Sequence, residues 1–358
     1  METYPQKLEV VKTPKGGESV YHTSGIPFIR SQNVIDNSLI LDHTCIPEEM
    51  HESMKSSKVL AGDILLNITG GSIGRSCVVP TNFKEGNVNQ HVSIIRLKKD
   101  NPNFLQSILS SWRGQKLIFE GQTGSGREGL NFESIKGFKV SFPTVSEQQK
   151  IASFLSLLSE RIKTQIKIIE ELQSQKNSLS KKLLSCQVRF LEHIEKWKEV
   201  KIGDVVKIGS GKDYKHLAEG EVPVFGTGGY MTSVDSCLYE GETVCIGRKG
   251  TIDKPFYYNG KIWTVDTLFF THSYKSILPR FLFYVFEQIN WLKFNEASGV
   301  PSLSKSTIEK IAIKIPSVKE QQKITTTLFA IDQKIDLESK HLELLKQQKR
   351  YFLQNLFI

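Results

Sequence analysis

The five residues EQQKI occur twice in this chain, ending at Ile151 and at Ile324, and each copy has a proline (Pro143, Pro316) four positions before its glutamate. The repeat is longer than these five residues. At a constant offset of 173 positions, SGREGLNFESIKGFKVSFPTVSEQQKI (125–151) lies over SGVPSLSKSTIEKIAIKIPSVKEQQKI (298–324) without a gap. Upstream, AGDILLNITGGSIG (61–74) resembles EGETVCIGRKGTID (240–253), and GIPFIRSQN (25–33) resembles EVPVFGTGG (221–229). The offset drifts to 179 and then 196, as it must when two related domains differ in loop length. The chain is therefore a duplicated unit, with two globular halves each followed by a segment that begins EQQKI. The period is too long for a solenoid.

The segments that follow EQQKI carry one apolar stripe. Ile151, Leu155, Leu158, Ile162, Ile169, Leu172, Leu179 and Leu183 recur at alternating steps of four and three. The second copy gives Ile324, Leu328, Ile331, Ile335, Leu342, Leu345, Phe352 and Leu356. This is a heptad seam. It is interrupted at equivalent places by Gln165 and Glu338, and by Lys176 and Lys349. Polar seam residues either fix register or snorkel out to water. Neither segment contains glycine or proline, and Pro143 or Pro316 with Ser146 or Ser317 marks each helix start. Each helix, of about 38 residues, would be ~57 Å long. Two such stripes in one chain satisfy each other as an antiparallel intramolecular coiled coil.

The globular halves read as strand-rich. GDILLNI, HVSIIRL and FKVSF are short β-branched runs bounded by Gly, Asn and Pro. Helices are expected near 103–119 and 280–294. The expected fold class is α/β (α+β), two similar strand-rich domains separated by two long antiparallel helices. The expected boundaries are 1–146, 147–184 (first spacer helix), 185–195 (linker), 196–319 and 320–358 (second spacer helix).

Composition excludes several classes. With 39% hydrophobic and 24% charged residues the chain is a folded protein, not a disordered one. Its most apolar run, 278–294, contains Arg280, Glu287 and Lys293, so no membrane span is expected. METYPQKLEV lacks the apolar core of a signal peptide. The five cysteines are odd in number and form no CxxC pair, which points away from disulfides and zinc and toward a cytoplasmic location. The net charge of +9 leans mildly toward a polyanionic partner.

Enzyme motifs are weak or missing. GSGREG (124–129) fits G-x-G-x-x-G but follows a helical stretch and lacks the downstream acid. GSGKD (209–213) lacks the first glycine and the Ser/Thr of a P-loop. No HExxH is present, and no histidines pair at metal spacing. His91 and Asp266 occupy similar places in the two halves yet differ chemically. A scaffold that persists while its polar residues change suits two readers better than two copies of one active site.

The layout resembles the DNA-specificity subunit of type I restriction–modification systems. The resemblance rests on IPFIRSQN with VPVFGTGG, GDILLNITGGSIG with GETVCIGRKGTI, and P-x-V-x-EQQKI before a long helix, all duplicated along essentially the whole chain. It implies two target-recognition domains that read the halves of a split double-stranded DNA sequence. It also implies a helix pair that acts as ruler and as docking surface for two methyltransferase subunits, with restriction/translocase subunits joining them. S-adenosylmethionine, ATP and Mg are then expected on those partners, with no cofactor, no metal and no catalytic residue in this chain. The Asn/Asp-Pro-Pro-Tyr/Phe motif of adenine methyltransferases is missing here. One departure is that Val10-Val11-Lys12 matches Val205-Val206-Lys207, so the first half opens part-way into the pattern and reads as N-terminally shortened.

Base readout needs donors and acceptors on groove edges, and phosphates need cations or backbone N–H groups on glycine-rich turns. In the first half the candidates are Arg30, Ser31, Gln32, Asn33, Thr69, Ser72, Arg75, Asn89, Gln90, His91 and Arg127. In the second they are Thr227, Tyr230, Arg248, Lys249 and Thr251. Lys163, Lys167, Glu170, Lys340 and Glu343 lie off the seam and are candidates for contact with methyltransferase subunits. The rival readings are a coiled-coil adaptor whose heads bind proteins and an enzyme with an unrecognised site. Salt-dependent binding of one specific duplex separates the first reading from both.

Overall fold

The computed structural model describes residues 20–35, 37–123, 129–193 and 195–357. The chain divides into two compact units, Met1–Ile166 with Lys340–Ile358, and Lys167–Ser339.

In the first unit, Ile26–Ile29 lies between Cys45–Ile46 and Gly86–Val88 in a four-stranded sheet completed by Lys58–Val59. A second sheet orders Ser76–Val78, Ile64–Asn67 and Val92–Ile95. The second unit has one six-stranded sheet, in the order Lys207–Ser210, Leu268–His272, Tyr239–Gly247, Phe256–Thr264, Glu219–Gly226, Gly229–Val234. The duplication is visible in the pairings. The strand carrying IPFI runs parallel to Gly86–Val88 (Phe28 opposite Asn87), and the strand carrying VPVF runs parallel to Phe256–Thr264 (Val224 opposite Trp263). Ile64–Asn67 is antiparallel to Val92–Ile95, as Tyr239–Gly247 is to Leu268–His272. Ile64–Asn67 is buried throughout, which is why that stretch reads as a continuous apolar run.

A helix packs in each unit, Pro102–Ser110 in the first and Pro279–Gln288 in the second, each with proline in its first turn. The single helix expected near 103–119 is in fact two, since a second helix, Trp112–Glu120, starts after Ser111. Gly114 packs so tightly that a Cβ would lie 2.0 Å from the Ile108 carbonyl oxygen. Ser111 Oγ accepts the Gly114 N–H at 3.2 Å and caps the new helix. The helix expected over 280–294 likewise stops at Gln288, and a short 3₁₀ turn, Trp291–Phe294, follows.

The long helices span Val145–Leu184 and Val318–Asn355. Their caps are equivalent residues. Thr144 Oγ1 accepts the Glu147 N–H at 3.3 Å, and Ser317 Oγ accepts the Glu320 N–H at 3.4 Å. Ser146, expected at the first helix start, lies inside the helix. Within each unit the helices run antiparallel, because early residues of one meet late residues of the other. In the first unit Phe154 packs edge-on against Phe352, with ring centroids 4.8 Å apart. In the second, Lys176 Nζ lies 2.8 Å from Asp332 Oδ1.

The seam positions are buried or half-buried from Ile151 to Leu183 and from Ile324 to Phe352, including Gln165, Lys176, Glu338 and Lys349. Leu356 is the exception, since the helix has ended at Asn355 and the side chain is 37% exposed. Lys176 does not snorkel. Its ammonium lies 3.1 Å from Glu287 and 2.8 Å from Asp332, over the faces of Phe283 and Tyr284. Tyr284 donates to the other Asp332 oxygen at 2.7 Å.

In the second unit Lys198–Lys201 pairs with Ala312–Ile315, and Trp197 packs on Phe281. Trp197 and Arg189 both donate to Glu320, a buried carboxylate. In the first unit Phe104 meets Phe357, at 5.7 Å and also edge-on. Val10–Lys12, on which the shortened first half was read, lie outside the described residues.

Candidate nucleic-acid interface

In the first unit three of the expected loops converge. Asn89 N–H donates to the Ile29 carbonyl at 2.9 Å, tying the 89–91 loop to the strand that delivers Arg30. Asn67 Nδ2 donates to the Ser31 carbonyl at 2.8 Å, tying the Arg30 turn to the strand before the glycine loop. Thr69 Oγ1 lies 2.6 Å from His91 Nδ1, joining the glycine loop to the 89–91 loop. Gln90 Nε2 contacts the other His91 nitrogen at 3.1 Å.

Within this cluster the roles divide. Asn33 is buried, accepts the Arg30 N–H at 2.8 Å and donates to the Ile40 carbonyl at 2.9 Å. It therefore builds the turn and has no free edge for a base. Asn89 is also buried, and its Oδ1 accepts the His91 N–H at 3.1 Å. Arg30 and Gln32 stay near the surface but share one anchor. Arg30 Nη2 donates to Asp42 Oδ2 and to Thr44 Oγ1, each at 2.8 Å, and Gln32 Nε2 donates to the same Asp42 oxygen at 3.0 Å. Burial pushes the Asp42 carboxyl up, but hydrogen bonds from Thr44, Gln32 and Arg30 outweigh it and hold the group well below the usual carboxylate range. Asp42 and Thr44 were not among the expected residues. They lie 12 and 14 positions from Arg30 and follow no motif.

Arg75 is exposed, and Ser72 is half-buried on a 3₁₀ turn, Gly70–Ser72. Arg75 also lines a cleft of about 780 Å³ with Lys163, Lys346, Lys349 and Arg350 of the helices. Arg127 lies outside the described residues.

In the second unit the expected residues fall on two touching loops. Thr227 sits at the tip of the hairpin closed by Gly226 and Gly229. Gly250, at φ +94°, brings the 248–251 loop up to it, and a Cβ there would lie 3.5 Å from Thr227 Oγ1. Tyr230 is 62% exposed, bonded to Ser233 at 3.0 Å, with its ring edge-on to Phe225. Arg248 and Lys249 are exposed, and the backbone N–H of each donates to the Thr267 carbonyl. Arg248 also donates to the Asp266 carbonyl at 3.3 Å. Thr251 is half-buried, and its backbone carbonyl packs closely on Gly247, where a Cβ would lie 2.0 Å from the oxygen. Sequence reasoning missed Lys212. Its N–H donates to the Thr264 carbonyl at 2.8 Å, which puts an exposed cation beside the Val265–Thr267 loop. The signal was in GSGKD, set aside there as a failed P-loop.

Each unit thus gathers surface donors, acceptors and cations on loops beside its parallel strand pair, with different side chains in the two units. A duplicated α/β domain of this kind, each copy packed with its own antiparallel pair of helix segments, defines a protein made of two related recognition domains. The chain belongs to the type I restriction modification DNA specificity domain family, whose model matches it twice, over residues 12–174 and 194–347. It is 23% identical to a protein of Methanocaldococcus jannaschii assigned as the MjaX specificity subunit of a type I restriction enzyme, over 98% of this chain and 90% of that one. Its fold matches the crystal structure of a type I restriction–modification S subunit from M. genitalium, with TM-score 0.66, 19% identity, and 98% and 93% of the two chains covered. A second match is a chain solved in work on complex assembly and conformational transition of the type I R-M system, with TM-score 0.57, 15% identity and 98% of each chain covered. Among the described residues no helix is long and apolar enough to cross a membrane.

Proposed function

We propose that this chain reads a split, asymmetric double-stranded DNA target, one half per unit, for a type I restriction–modification complex. The observation that carries the reading is the pair of loop clusters. One presents Arg30, Gln32, Thr69, Arg75 and His91, and the other presents Thr227, Tyr230, Arg248 and Lys249. The scaffold is the same and the donor sets differ, so the two half-sequences differ. Guanidinium and amide forks supply base-edge contacts, and exposed cations and glycine-turn N–H groups supply phosphate contacts.

The helix pair serves as spacer and docking surface. Lys163, Lys167, Glu170, Lys340 and Glu343 are all exposed, which suits contact with two methyltransferase subunits, and restriction/translocase subunits complete the assembly. The chain itself is non-catalytic in this reading. S-adenosylmethionine, ATP and Mg chemistry belongs to the partners, and the complex works in the cytoplasm. The test is binding to a duplex carrying the methylated motif of the cognate complex. Affinity should fall steeply with salt and drop on scrambling either half. Salt-independent binding, or equal binding of scrambled duplexes, contradicts it.

A further inference from the structure

In the second unit the 295–303 segment joins the turn Trp291–Phe294 to a short helix, Lys305–Lys310. One side chain closes it into a loop. Asn295 Oδ1 accepts the N–H of Ala297 at 3.1 Å and that of Ser302 at 2.9 Å, and its Nδ2 donates to the Ala297 carbonyl at 2.8 Å. The Glu296 N–H donates to the Ser302 carbonyl at 3.0 Å. The loop's single carboxylate, that of Glu296, is turned back onto Ser304 Oγ and Thr307 Oγ1. Between these ties, Ser298, Gly299 and Val300 are exposed.

This loop is bonded to the one that carries Arg248 and Lys249. Lys249 and Ser302 form an antiparallel bridge. Gly250 N–H donates to the Pro301 carbonyl and Leu303 N–H to the Arg248 carbonyl, each at 2.8 Å. The first unit repeats the attachment, with Thr69 bridged to Gly129 and Leu130 N–H donating to the Ile68 carbonyl at 2.9 Å. Gly129 and Leu130 stand 173 positions before Ser302 and Leu303, so the gap-free correspondence of the two halves holds in the backbone pairing. In that correspondence Val300 stands over Arg127.

A single exposed valine is ordinary. Val300 is 55% exposed, but it sits on a closed loop tied to the cationic one, at a position where the other half carries arginine. A β-branched side chain just before a proline has few conformations to lose on binding. It can make no hydrogen bond. In the major groove arginine matches O6 and N7 of guanine, whereas an apolar side chain matches the 5-methyl group of thymine.

We infer that Val300 is a specificity-determining residue of the second unit and reads a thymine through its 5-methyl group. The inference rests on the DNA-reading function proposed above. It adds to that function a third loop, beside the hairpin that carries Thr227 and the loop that carries Arg248 and Lys249.

The test uses the full chain and the duplex carrying the methylated motif, with its thymines replaced one at a time by deoxyuridine, which removes only the 5-methyl group. Affinity is measured for the unmodified chain and for V300A, whose exposed position spares the fold, as circular dichroism checks. The expected result is one thymine whose replacement weakens the unmodified chain about fourfold, the effect of one buried methyl group. V300A should bind the thymine duplex about fourfold more weakly and lose nothing further on that replacement. Losses on replacement that V300A leaves unchanged, or no loss at any thymine while a scrambled duplex still binds worse, overturn this inference alone. Equal binding of the motif and scrambled duplexes overturns the DNA-reading function with it.

Discussion

Gln148 Oε1 accepts the backbone N–H of Asn101 at 2.9 Å, so the start of the long helix is bonded to the first turn of a domain helix. Gln321 does the same in the other copy, accepting the Leu278 N–H at 2.8 Å. Each amide also donates to the carbonyl of its own proline, Pro143 or Pro316, at 3.0 Å. Both side chains are fully buried. This is a physical reason for the repeated proline and glutamine. The proline carbonyl and the amide five residues on form one clasp, and the clasp fixes the direction in which the helix leaves its domain.

Removing the clasp strands buried backbone groups, each worth ~1–3 kcal/mol. Gln148→Ala and Gln321→Ala should each lower stability by about 2–3 kcal/mol in urea unfolding. Gln322→Ala, at an exposed neighbour, should change it by less than ~0.5 kcal/mol. Equal effects at 321 and 322 would contradict the clasp.

Lys176→Met should destabilise the second unit by about 1–3 kcal/mol, a buried-pair penalty discounted for partial exposure. The pH dependence follows from the partners. Burial works against the charged Lys176, but Asp332 and Glu287 hold its pKa above the ordinary value. Its stabilisation is therefore complete below the ordinary lysine pKa and fades only as pH rises through the raised one. Burial raises the Glu287 carboxyl, so protonating it favours the folded state. Without the lysine that preference grows, and the deficit of Lys176→Met should shrink as pH falls from 7 toward the ordinary glutamate range. A deficit that is flat or grows on acidification contradicts the network.

Arg30→Ala should cost ~1–3 kcal/mol of DNA affinity, about tenfold to a hundredfold, and relax sequence preference in one half-site only. Arg248→Ala should do the same for the other half-site. Competition with duplexes mutated in each half measures this. A uniform loss across both halves would mark either arginine as a phosphate contact.

Much of the fold was legible in the sequence because duplication supplied an internal alignment and the heptad stripe is periodic. Tertiary effects were not legible. The break at Ser111 depends on Gly114 meeting a carbonyl in the preceding helix. Asn33 looked like a reader because Arg-Ser-Gln-Asn is a polar turn, yet burial turns it inward to bond Arg30 and Ile40. Asp42 was invisible because nothing local links it to Arg30.

Inserting four residues before Gln165 lengthens the first long helix by about one turn, ~5.4 Å. If the helices set the gap, the half-sequences should stay the same while the spacing grows by one to two base pairs, at ~3.4 Å each. Folding is checked first, because the insertion is a stutter in the heptads. Unchanged spacing in a folded variant contradicts the ruler.

The most direct measurement of the central claim is the map of methylated adenines in a host expressing this chain with its methyltransferase subunit. The account predicts one motif made of two different short sequences separated by a fixed unspecified gap, lost when this chain is omitted. A continuous motif, a palindrome, or methylation that persists without this chain would contradict it.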